Sequence, residues 1–367
     1  MALALYRKYR PKTLSDLLGQ DITVEILKNA ARENKLAHAY LFYGPKGTGK
    51  TTAARLIAKI ANCETRTADA NFRKTGEPCN KCRVCLEIDA GGGMDVIEID
   101  AASNRGIDEI RGLKEGIRLS PVSYPYKVFI VDEAHMLTGP AFNALLKTLE
   151  EPPAHAIFIL ATTEYEKLPA TILSRTQRFG FKKLPKDTVV QKLKQICEKE
   201  KIEAEPEALE LIAISGEGSV RDAESLLDQV ASSKSKIDLA TVHAATGRLS
   251  VNRLHNFAVL LAKKDLPSAL KHLAEFQESG HDLARFNKDL IHYLRRALSL
   301  KINPSLEIFF ARELTSDDIQ KLKNLSSAIE VKSHVNLIKS LIRAYGEMRY
   351  SPFAIVPLEV AIIENLQ

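Results

Sequence analysis

The 367-residue chain is short of several things, and each shortage narrows its class. No uncharged apolar run approaches the length of a bilayer-crossing helix, so no transmembrane segment is expected. The opening "MALALYRKYRPKTL" has no apolar core followed by a cleavage site, so no secretory signal is expected and the cytoplasm is the default location. There is no convincing internal repeat and no low-complexity tail. Cysteine is scarce, with five in all, and four of these crowd between Cys63 and Cys85. In a cytosolic chain, that crowding favours a metal over disulfides.

What is present reads as globular. Hydrophobic residues make up 45% and charged residues 27%, the balance of a soluble protein. The length exceeds one ordinary core and implies two or three domains. The net charge is +6, and residues 1–60 alone hold 11 basic and 4 acidic side chains. Such a basic face suits a polyanion, although basic helices are often only solvated surface.

Residues 1–180 alternate apolar runs with helical patterns. The runs are "AYLFY" (39–43), "MDVIEID" (94–100), "KVFIV" (127–131), "AIFIL" (156–160) and "RFGF" (178–181). Nearly unbroken runs suit strands of a parallel sheet buried on both faces, and the intervening helices cross over between them. In "FNALLKTLEE" (142–151), Phe142, Leu145, Leu146 and Leu149 share a face, and Pro152-Pro153 ends the helix. Beyond about residue 180 the strand signal fades. Residues 181–245 read as a small helical unit, and 246–367 as a larger all-α domain. Ser219 is placed as an N-cap with Asp222 three residues on.

"GPKGTGKT" (44–51) fits G-x-x-x-x-G-K-[ST], follows the run "AYLFY" and precedes the helical "TTAARLIAKIA". Gly44, Gly47 and Gly49 let backbone N–H groups turn inward on phosphate oxygens, with Pro45, Lys46 and Thr48 completing the loop. Lys50 is expected to reach the β- and γ-phosphates of ATP, and Thr51 to hold Mg²⁺. "KVFIVDEAHML" (127–137) delivers two carboxylates from a buried strand. Asp132 would join Thr51 on Mg²⁺, and Glu133 would polarise the attacking water. The Asp-Glu-Ala-His string invites a helicase reading. That reading requires a second RecA-like sheet, and no second set of parallel strands is expected after residue 181. The missing parts of the site must come from the helical region or from another subunit.

Cys63, Cys79, Cys82 and Cys85 form C-x15-C-x2-C-x2-C. Four thiolates suit a closed tetrahedral Zn²⁺ site. An iron–sulfur cluster uses similar spacings and stays open as an alternative, as do unligated thiols. Cys197 has no partner in sequence and reads as a helix residue.

An ordered series of segments carries a family resemblance: "LYRKYRPKTLSDLLGQ" (5–20), "HAYLFYGPKGTGKT" (38–51), "IEIDAASNRGIDEIR" (97–111), "FNALLKTLEEPP" (142–153), "LATTEYEKLPATILSR" (160–175), "EGSVRDAESLLDQ" (217–229) and "YSPFAIVPLEVAIIENL" (350–366). The chain resembles the γ/τ family of bacterial DNA polymerase III clamp-loader subunits, which are AAA+ ATPases. The resemblance implies a RecA-like AAA+ domain with a cysteine zinc module over 1–180, a helical lid over 181–245 and a helical collar over 246–367. It assigns Thr163 to sensor 1, although alone this residue reads as a turn threonine. It assigns Arg221 to sensor 2, where an anion would offset the cost of an arginine at a helix N-terminus. It assigns Arg175 to an arginine finger acting in trans, with Thr176 standing where the family usually has Cys. It implies zinc on the four cysteines, across a first gap longer than the family's. It places "YRKYRP" near the nucleotide base. Arg105, Arg111 and Lys114 are candidates for phosphates of primer–template DNA, with a solvated basic face as the competing reading.

The implied function is that of an ATP-hydrolysing motor subunit of a sliding-clamp loader. Its partners would be δ, δ′, further copies of itself, the clamp and primer–template DNA, with no membrane. The rivals are a branch-migration type of AAA+ motor and a non-hydrolysing structural subunit like δ′. The chain's end at Gln367 suggests a γ-like or truncated core rather than a longer τ form.

Overall fold

The computed structural model describes residues 3–103, 116–117, 119–232, 236–246, 251–279, 282–311 and 314–366. Arg105, Arg111 and Lys114 lie outside the described residues. The chain forms two compact units. One comprises Met1–Ile196 with Gly216–Asp228, the other Cys197–Ser215 with Gln229–Gln367.

The first unit is built on five parallel strands: β1 (Ala39–Tyr43), β2 (Val96–Asp100), β3 (Lys127–Asp132), β4 (Ala156–Thr162) and β5 (Gln177–Gly180). Their order across the sheet is β2-β3-β4-β1-β5. Parallel neighbours require crossovers, and helices such as Lys50–Asn62 and Gly139–Glu150 supply them. Every residue of β4 is buried, as are the first four of β1 and the first five of β3. The outer strands differ from the expected two-sided burial. β2 is only partly buried and β5 buries Phe179 alone, because an edge strand has a neighbour on one side only.

Two apolar layers sandwich the sheet, as alternate side chains demand. Phe129, Val131, Phe158 and Leu160 pack with Phe142, Leu145 and Leu149 on one face. Val128, Ile130, Tyr40 and Phe42 pack with Ala54 and Ile57 on the other. The expected stripe of helix Gly139–Glu150 is therefore the buried one, and the helix stops just before Pro152-Pro153.

The second unit is helical. Helices Val251–Ala262, Leu266–Glu278, Leu283–Ile302, Ser316–Ala328, Val331–Glu347 and Ile355–Leu366 share one core around Phe257, Phe286, Leu290, Leu322 and Leu341. Beyond residue 181 the described residues carry one short parallel pairing rather than a second set of parallel strands. Glu203–Ala204 pairs in parallel with Lys236–Ile237. A two-residue ladder is too short to leave an apolar run in the sequence. Among the described residues no helix is long and apolar enough to cross a membrane.

A buried carboxylate fixes the approach to β3. Asp95 is fully buried, and its oxygens accept backbone N–H bonds from Val122 (2.9 Å), Ser123 (2.7 Å) and Tyr124 (2.9 Å). Asp95→Ala should leave these donors unpaired and lower unfolding free energy by about 3 kcal/mol. A urea midpoint that does not move would show that the loop does not depend on Asp95.

Candidate nucleotide site

The loop after β1 turns through glycines whose backbone conformation strains any other residue. Gly44, Gly47 and Gly49 have φ of 140°, 73° and 101°. Space is denied as well as conformation. A Cβ on Gly44 would collide with the Phe181 carbonyl, and one on Gly47 with the Ser219 hydroxyl. Gly49 caps the helix Lys50–Asn62, whose positive end faces the loop. Thr48 Oγ1 donates to the Pro45 carbonyl at 2.8 Å. Lys50 is 5% exposed, and its Nζ donates to the carbonyls of Gly44 (2.8 Å) and Pro45 (2.9 Å). Burial lowers the pKa of its ammonium, while Glu133 and Asp132 pull it back up.

The strand order decides what meets this loop. β4 lies between β1 and β3, so the carboxyl ends of three strands converge. Thr51 Oγ1 donates to Asp132 Oδ2 at 2.7 Å across a separation of 81 residues. Glu133 follows with φ 47°, a left-handed conformation that costs a non-glycine residue roughly 1–3 kcal/mol. Its Oε2 accepts from Thr163 Oγ1 (2.9 Å) and Thr163 N (3.2 Å). The pair of oxygens on Thr51 and Asp132 is a hard donor set of the kind that Mg²⁺ accepts.

The sequence reasoning missed the next layer. His135 is the fourth residue of Asp-Glu-Ala-His. Its Nδ1 lies 2.9 Å from Thr162 Oγ1 and 3.4 Å from Glu133 Oε2, and its Nε2 lies 3.2 Å from Glu164 Oε1. It thus ties the strained Glu133 to the end of β4. The signal that could have found it is its place two residues beyond Glu133.

Asp132, Glu133 and the loop from Lys46 to Thr52 line a cleft of about 990 Å³, counting space open to solvent. Tyr6, Tyr9, Arg10 and Pro11 of the N-terminal segment line it too, as does Arg221. Ser219 Oγ accepts from Asp222 N at 3.2 Å, so it caps the helix Val220–Ala231 that carries Arg221. The Arg221 guanidinium sits over the Tyr6 ring at 5.1 Å. Arg175 is not among the cleft residues. It lies just past the short helix Ala170–Leu173, donates to the Thr171 carbonyl at 2.8 Å and pairs with Glu150 at 2.6 Å.

The four clustered cysteines also meet in space. All four Sγ atoms lie within 4.8 Å of one another, and none is in a disulfide. Backbone N–H groups of Lys81 (3.4 Å) and Cys82 (3.2 Å) point at Cys79 Sγ, and that of Cys79 (3.4 Å) at Cys63 Sγ. A group of four sulfurs this tight could hold a metal ion. Cys197 stands apart, buried in the helix Lys186–Glu200, where burial pushes its thiol up to about 11.

Comparison with known proteins places the chain. Residues 19–185 match the family described as DNA polymerase III, delta subunit, and residues 188–234 match the DNA polymerase III clamp loader subunit, ATPase lid domain. DNA polymerase III subunit tau of Bacillus subtilis is 41% identical over 99% of this chain and 63% of its own length. The chain belongs to the DNA polymerase III gamma/tau family. The Escherichia coli tau subunit, another member, is 34% identical over 99% of this chain and 55% of its own. The chain thus spans somewhat over half the length of such relatives. Among solved structures, the Thermotoga maritima RuvB Holliday junction branch migration motor aligns with 69% of this chain and 78% of its own. Its TM-score of 0.46 and 18% identity are too remote to inform function.

The packing of Gly47 on Ser219 generates a test. Gly47→Ala should cost about 2–4 kcal/mol, from the left-handed φ and from the collision. Adding Ser219→Gly removes the collision at a cap cost of only a few tenths of a kcal/mol, and should recover part of the loss. Denaturation midpoints of the two variants that coincide would mean the contact is absent.

Proposed function

We propose that this chain is the ATP-hydrolysing motor subunit of a bacterial sliding-clamp loader, coupling ATP binding and hydrolysis to placement of the clamp on primer–template DNA. One observation carries the reading. In a chain of the gamma/tau family, the glycine loop, the acidic pair and Arg221 all line a single cleft. The intact set of Lys50, Thr51, Asp132 and Glu133 argues against a non-hydrolysing subunit.

The family resemblance suggests the roles, and the geometry supports them. Lys50 would exchange its two loop carbonyls for β- and γ-phosphate oxygens, which match a buried ammonium better. Loop N–H groups and the helix N-terminus would hold the remaining phosphate charge. Thr51 and Asp132 would hold Mg²⁺, which supplies charge neutralisation at the phosphates. Glu133 would orient the attacking water, with Thr163 and His135 fixing its carboxylate. Arg221 would reach the γ-phosphate from the lid. Arg175, which does not line its own cleft, would serve the neighbouring subunit. Its exposed pair with Glu150 is worth no more than about 1 kcal/mol, so docking could release it cheaply.

The division into an ATPase domain over 1–180, a lid over 181–245 and a collar over 246–367 is part of the proposal, as are δ, δ′, further copies, clamp and DNA as partners. A cytoplasmic setting follows from a role in replication. We also assign the four cysteines to a structural Zn²⁺. A Zn–S bond of 2.3 Å places tetrahedral sulfurs roughly 3.8 Å apart, which suits four sulfurs all within 4.8 Å of one another, with Cys79 and Cys85 at 4.0 Å. Sulfurs so close leave room for one ion rather than a multi-iron cluster.

Two measurements test this. The chain alone should hydrolyse ATP slowly, and adding δ, δ′, clamp and primed DNA should raise the rate. Arg175→Ala should then lower the assembled rate by about 10³-fold, whereas Lys50→Ala should abolish it. An unchanged assembled rate in Arg175→Ala would sink the trans role. Metal analysis should find one zinc per chain and no iron, and stripping the metal should lower the melting temperature. Iron, or a chain equally stable without metal, would refute the zinc assignment.

A further inference from the structure

The helix Val220–Ala231 presents Val220, Arg221 and Glu224 to the cleft. A triphosphate gives Arg221 its purpose but leaves Glu224 without one. Glu224 is only 4% exposed, and its Oε1 has no hydrogen-bond partner among the described residues. A buried carboxylate oxygen left unpaired is costly, and its survival calls for a partner that arrives from outside the chain. Burial pushes its carboxyl up to about 7, against the pull of Lys192. Pro11, Leu17, Leu18, Leu184 and Val220 line the same cleft as apolar walls of the kind that hold a flat ring. The phosphate loop and the acidic pair line this same cleft, and Leu17 lies close beside Gly49.

We propose that Glu224 is a specificity-determining residue for the nucleobase, its Oε1 accepting the exocyclic 6-amino group of adenine. This rests on the nucleotide reading of the cleft. Hypoxanthine and guanine carry an oxo oxygen at position 6, which sets acceptor against acceptor when Glu224 is ionised, so the discrimination is read above pH 7. A purine bare at position 6 would leave Oε1 as unpaired as it is without ligand. A site that must satisfy a buried polar group discriminates more sharply than an apolar one.

The test is equilibrium binding of ATP, ITP and purine riboside triphosphate, with Mg²⁺, to the full chain. Wild type is compared with Glu224→Gln and Glu224→Leu, each checked by thermal melting. Wild type should favour ATP over the other two by at least about 10-fold. Glu224→Gln can turn its amide toward either base edge, so its ATP-to-ITP preference should fall toward unity. Glu224→Leu should lose the preference for ATP over purine riboside triphosphate while melting no lower than wild type without nucleotide. An ATP-to-ITP ratio unchanged in both variants would overturn the assignment and leave Glu224 as a partner of Lys192 only. Wild type binding ATP and ITP equally would overturn it while leaving the nucleotide site standing. Wild type binding none of the three would bring down the site reading and this inference together.

Discussion

The candidate site depends on β4 being wedged between β1 and β3. Strands pair at about 4.8 Å, so one intervening strand sets the ends of β1 and β3 roughly 10 Å apart. That gap suits a threonine at the start of a helix meeting an aspartate at the end of a strand, and Thr51 and Asp132 do meet. β4 can serve as the spacer because all seven of its residues are buried, so the neighbouring strands cannot slip past it. Its own end then supplies Thr162 and Thr163, which reach back to His135 and Glu133. Chemistry at the rim is thus inherited from hydrophobic packing in the middle.

The sheet was legible because its three inner strands are continuous apolar runs, and such runs need no tertiary knowledge to recognise. The phosphate loop was legible for a different reason. Its glycines are demanded by local backbone geometry, so the constraint is written into adjacent residues. What escaped was long-range and polar. His135 gains its role from Thr162, 27 residues away, and Asp95 holds a loop 27 to 29 residues downstream. Glu224 looks like any surface glutamate of an amphipathic helix until the fold covers it. The positive φ of Glu133 also leaves no trace in composition, since a glutamate gives no sign of a left-handed turn.

The cysteine segment illustrates how a region with little core is secured. Its buried apolar cluster consists of Val84, Ile88 and Tyr124. Polar staples carry the rest. Arg66, almost fully buried, donates to the carbonyls of Ala31 (2.8 Å) and Ile60 (3.2 Å). Glu77 accepts from Leu14 N (2.7 Å) and Ser15 N (3.0 Å), and Lys59 reaches Asp89 at 2.7 Å from the helix that begins at the phosphate loop. The 15 residues between Cys63 and Cys79 include two short helices, Glu64–Ala68 and Ala70–Arg73, and the first of them carries the Arg66 anchor.

The contact of Gly47 with Ser219 leaves no slack between the loop and the helix bearing Arg221 and Glu224. Any side chain at position 47 would have to push the helix cap aside, so the fit between loop and helix survives only where the loop carries an atom fewer than every other residue would bring.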